Sequence, residues 1–61
     1  MNYQENFPLN AWLFDLVNII SKREFIEKKD ALWQVVEDME VVVDYYEGGY
    51  TPQAVYNEYF K

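Results

Sequence analysis

The sequence predicts an all-α fold, a small three-helix domain with a long central helix, expected to be oligomeric. Three observations carry this. Phe25, Leu32, Val35, Val36, Met39, Val42, Val43 and Tyr46 recur at helical spacing. Two start signals, Ser21-Lys22-Arg23-Glu24 and Thr51-Pro52, and one stop signal, Gly48-Gly49, divide the chain at helix-length intervals. The β-favouring cluster Val41-Val42-Val43 and Tyr45-Tyr46 has no second segment of similar quality to pair with, and the helical period persists through it.

Taken in order, residues 1–9 lack periodicity and contain Phe7-Pro8, so they read as an extended N-terminal arm. Pro8 would also suit the first position of the first helix, where its missing N–H costs nothing. The first helix is placed from Asn10 to Ile20, with Trp12, Leu13, Leu16, Val17 and Ile20 as its main apolar stripe. Asp15, Asn18 and Lys22 mark a narrow polar edge, with Phe14 and Ile19 beside it, so burial from several directions is expected.

Ser21-Lys22-Arg23-Glu24 has the form of a capping box, in which the Ser21 hydroxyl accepts from the Glu24 N–H and Glu24 reaches back. Ile20 and Phe25 would be the hydrophobic staple. This places a sharp break before a central helix over 25–47. A single helix over 10–47 is the competing reading, disfavoured by its length outside a coiled coil. Gly48-Gly49 supplies the left-handed residue of a C-cap. Thr51 as N-cap and Pro52 at the first helical position open a third helix running to about Phe60.

All 61 residues are assigned to one helical domain, near the lower size limit for a chain that folds alone. There is no Cys for a disulfide, and no Cys or His for a zinc site. Apolar residues make up 51% of the chain, which argues against disorder and exceeds what one small core hides. Self-association or a partner surface is the expected outlet. The apolar run from Ala11 to Ile20 is too short and too polar for a bilayer span. Glu5 precedes it in place of a basic region, so no signal peptide is read and a cytoplasmic address is expected.

Without His or Cys the commonest general base, metal ligand and nucleophile are missing, and no phosphate-binding or calcium-loop motif occurs. The expectation is therefore no enzyme, no cofactor, no metal site and no catalytic residues. Eleven acids against five bases give a net charge of −6. Such a field repels nucleic acid and anionic lipid and favours encounter with basic surfaces. Lys22, Arg23, Lys28 and Lys29 cluster, but the third helix has no Arg, and neighbouring acids explain the cluster, so direct DNA binding is not expected.

The candidate partner-binding residues are Ile26, Glu27, Asp30, Trp33, Glu37, Glu40, Asp44 and Tyr45, on the side of the central helix opposite its apolar stripe. Large apolar residues among carboxylates are the mark of a binding face, with Trp33 as the anchor to test. The carboxylates from Glu27 to Asp44 follow the helix axis for about 25 Å. Duplex DNA carries one charge per roughly 1.7 Å, so one copy is sparser than a duplex and a dimer would double the density. The expected function is a small acidic protein-binding module, an inhibitor or DNA mimic that occupies a basic surface of its target, of the kind phage or mobile elements carry. The alternative is a structural subunit or obligate homo-oligomer whose acids serve only solubility.

Overall fold

The structure, a computed structural model, describes residues 8–61 and is helical with no strand among them. Helix α1 spans Leu9–Glu24, α2 Lys28–Glu37, α3 Met39–Glu47 and α4 Pro52–Val55, and a π-helical turn, Tyr56–Phe60, continues α4. The expected arm falls on residues 1–7, outside the described residues, except for Pro8 and Leu9. Pro8 is the residue before α1, its carbonyl accepting from the Trp12 N–H, and Leu9 is already helical.

The first helix ends four residues later than its sequence signals suggest. Ser21 does not cap a following helix. It lies in the last turn of α1, where its carbonyl accepts from the Ile26 N–H at 3.1 Å and its hydroxyl donates to the Ile26 carbonyl at 2.6 Å. Phe25 between them adopts φ 58°, a left-handed residue closing a Schellman-type end. Glu24, the other half of the expected box, instead accepts from the Tyr56 hydroxyl at 3.3 Å. Phe25 is no staple either: it is 93% exposed. Lys22 and Arg23 in the last turn suit the negative end of the α1 dipole, and they are the sequence signal for this end.

The long central helix is corrected to two helices. It starts at Lys28 and breaks at Asp38, whose φ of −115° and ψ of 30° leave the helical region. Hydrogen bonding runs on across the break, with Asp38 N–H to Val35 O and Val42 N–H to Asp38 O, so the helix bends there without unravelling. The expected core stripe is rotated. Ala31, Val35 and Val42 are buried, while Leu32 and Val36 are exposed.

The Gly48-Gly49 stop is as expected. Gly49 takes φ 90°, with Gly49 N–H to Tyr46 O and Tyr50 N–H to Tyr45 O completing the Schellman pattern. Thr51 Oγ1 accepts from the Ala54 N–H at 3.1 Å, with Pro52 at the first helical position. Helical structure then reaches Phe60, its end widened to a π-turn by Lys61 N–H to Tyr56 O.

Trp12, Leu16, Val17 and Ile20 of α1 form the spine of the core, against Ala31, Val35, Val42, Val55 and Tyr56. Trp12 ties the chain's two halves, its indole N–H donating to Tyr50 O at 2.8 Å and its ring meeting Tyr46 edge-on at 5.3 Å. From there α4 runs along α1 in the same direction, and Tyr56 reaches Glu24 and lies under the Arg23 guanidinium. The extents are 35 × 17 × 17 Å. Phe14 on α1, Leu32, Trp33 and Val36 on α2 and Val41 on α3 remain exposed, so these three helices each keep a face that no other helix covers.

Candidate functional site

Charge is segregated along the sequence. Residues 30–60 hold Asp30, Glu37, Asp38, Glu40, Asp44, Glu47 and Glu58 and no Lys or Arg, whereas Lys22, Arg23, Lys28 and Lys29 gather around the α1–α2 turn. Among the described residues the ion pair formed is Lys29 to Glu27, 3.7 Å apart and exposed. Such a pair adds little stability. Asp30, Glu37, Glu40 and Asp44 meet no cation among the described residues, and all four are exposed.

These four line an outer ridge on α2 and α3, with apolar residues set into it. Trp33 is 64% exposed and Val41 is also exposed. Near the bend, Val36, Glu37, Glu40 and Val41 border one shallow depression; Val41, Asp44, Tyr45 and Tyr50 border the next. Asp30, Trp33 and Glu37 on α2 and Glu40 and Asp44 on α3 are all exposed. Three expected members differ. Ile26 is half-buried and packs on the core because it follows the left-handed turn. Glu27 sits at the residue before α2 and pairs with Lys29. Tyr45 is half-buried, its ring edge-on to Tyr50 at 4.8 Å and tilted toward Tyr59 at 6.2 Å.

The bend also takes Asp38 out of the acidic row. Asp38 is half-buried and faces Tyr59. Partial burial first, then the Asp38 carboxylate, raise the Tyr59 hydroxyl above the usual phenol range. The expected carboxylate row of about 25 Å is therefore divided between two helices, Asp30 and Glu37 on α2 and Glu40 and Asp44 on α3.

A second surface draws on Leu13, Val17 and Leu32, which the sequence places on apolar stripes. Between α1 and α2 lies a groove of about 350 Å³, lined by Leu13, Phe14, Val17 and Leu32 together with Lys28 and Lys29. Phe14 is 68% exposed. The presence of Phe14 beside the polar edge of α1 was the available signal. The exposure of Leu32 and Val36 was not legible, because it follows from where α2 begins.

No group of acidic residues among those described is arranged to hold a metal ion, and no helix is long and apolar enough to cross a membrane. No known protein family, curated protein or solved structure matches this chain, which leaves its own surface as the guide to function.

Proposed function

We propose that the chain is a small cytoplasmic protein-binding module that presents the α2–α3 acidic ridge to a basic surface of a target protein. It would act as an inhibitor or DNA mimic where that surface binds nucleic acid. The observation that carries the reading is Trp33, largely exposed on a ridge whose carboxylates have no internal cations. An exposed Trp ringed by charge supplies contact area and the acids supply steering. A second reading, an obligate homo-oligomer whose acids serve solubility, draws on the exposed Phe14, Leu32 and Val36 beside the ridge.

The test is affinity capture from the producing cell, with wild type and a Trp33→Ala, Glu37→Lys double variant as baits. A basic protein held by wild type, released by salt and lost with the variant supports the ridge. A partner held equally by both baits sinks it. With that partner, reversing Glu37 and Glu40 to Lys should slow association and flatten its salt dependence. Trp33→Ala should instead speed dissociation.

A further inference from the structure

Four residues of α2 share one uncovered side: Lys29, Leu32, Trp33 and Val36 stand at offsets of three, four and seven. Leu32 and Val36 are 49% and 42% exposed. The stripe borders the groove against α1, so Phe14 extends it. At its two ends the charges are opposite. Lys29 stands four residues before Trp33 and Glu37 four after, each about 6 Å along the axis.

We propose that this stripe is the interface of a symmetric dimer, in which the α2 helices of two copies cross antiparallel about a two-fold axis near Trp33. The arrangement sets Lys29 of each copy opposite Glu37 of the other, with Lys28 flanking the pair. The second copy's Trp33 lies over the groove beside Leu32 and Phe14. A parallel crossing would instead oppose Lys29 to Lys29 and Glu37 to Glu37, so charge selects the antiparallel one. A two-fold interface must be complementary to itself, and a stripe with an apolar centre and opposite charges at equal distances meets that condition. Leu32, Trp33 and Val36 are all exposed, so this side of α2 is not covered by another helix of the same chain.

Pairing rests on Trp33 as the anchor of the ridge, without depending on which basic protein the ridge meets. It covers Trp33 and Glu37 and leaves Glu40, Val41 and Asp44 of α3 open on both copies. A basic target would then reach the α3 acids first, and gain Trp33 only when the copies separate.

The test is sedimentation equilibrium at micromolar concentrations on the full chain. Wild type is expected at twice the single-chain mass. Lys29→Glu and Glu37→Lys should each weaken pairing by about tenfold or more, because each puts like charges at both ends. Circular dichroism should show unchanged helix content, since both side chains are exposed. Mixing the two variants in equal amounts should restore the dimer mass, as should placing both substitutions in one chain. Three results would overturn the proposal: wild type at the single-chain mass, single variants that pair like wild type, or a mixture that stays dissociated. Dimers appearing only after residues 1–7 are deleted would also overturn it, and would assign the groove to that segment. Retention on immobilised polylysine reads the acidic ridge separately. Lys29→Glu keeps every acid and Trp33, so its binding there stands or falls without reference to pairing.

Discussion

The Trp12 indole N–H donates to the Tyr50 carbonyl across 38 residues of sequence, at 2.8 Å, with Trp12 fully buried. This bond joins the first half of α1 to the residue that follows the Gly48-Gly49 turn. It therefore sets where α4 begins its course alongside α1.

Trp12→Phe removes that donor, leaves the Tyr50 carbonyl without it and opens a small void. The expected loss is about 2 kcal/mol of unfolding free energy, the sum of a part-buried hydrogen bond and a modest cavity. Urea unfolding at matched slope is the measurement. A change within error would mean that Tyr50 finds another donor.

The two tryptophans should behave oppositely. Trp33 is exposed and contacts no core cluster. Trp33→Ala should shift stability by no more than about 0.5 kcal/mol in dilute solution, as surface substitutions do. A loss as large as that at Trp12 would show Trp33 to be structural.

Ser21 and Phe25 control the α1–α2 turn. Ser21→Ala loses the bond to the Ile26 carbonyl, at an expected cost of about 1 kcal/mol. Phe25→Gly should act the other way. Relief of a left-handed non-glycine residue is worth about 1–2 kcal/mol, against about 0.5–1 for glycine's added unfolded-state freedom. A net gain of about 0.5–1 kcal/mol is expected in thermal or urea unfolding, and a loss would mean that the Phe25 ring is held by contacts in solution.

Asn18 Oδ1 is buried without a hydrogen-bond partner. Asn18→Leu removes that unsatisfied acceptor at similar volume and should raise stability by about 1 kcal/mol. An unchanged denaturant midpoint would indicate that a water satisfies the amide.

Tyr59 gives the fold an alkaline sensitivity. Its hydroxyl pKa is raised in the folded state above the ordinary phenol value of about 10. The folded chain thus holds this proton more tightly than the unfolded chain. That contribution is complete below about pH 10 and declines as pH rises through the folded value. Tyr59→Phe should flatten the fall in thermal midpoint between about pH 9 and 11. Identical profiles for the two proteins would remove Tyr59 as the cause.

How much was legible follows from where each signal acts. Thr51-Pro52 and Gly49 work through their own backbone angles and the next few amides, so their positions can be read in one dimension. The α1 stripe was legible because Trp12, Leu16, Val17 and Ile20 form one wide apolar face that any partner helix would cover. The exposed acids were legible because an unpaired carboxylate costs too much to bury.

The Ser21–Glu24 pattern shows the limit. Serine and glutamate at that spacing can open a helix or sit in the last turn of one, and the choice here came from distant partners. Tyr56 claims the Glu24 carboxylate, and the left-handed Phe25 lets Ser21 hold Ile26. Moving the start of α2 to Lys28 then decided which of its residues meet α1. Ala31 and Val35 turned inward, and Leu32 and Val36 outward. By itself the sequence determined the helical class, two of the boundaries and an acidic outer side, because these depend on local backbone chemistry and solvation. Tertiary structure decided the bend at Asp38, the rotation of the core stripe and the groove beside Lys28 and Lys29, because each depends on which surfaces of α1 were already taken.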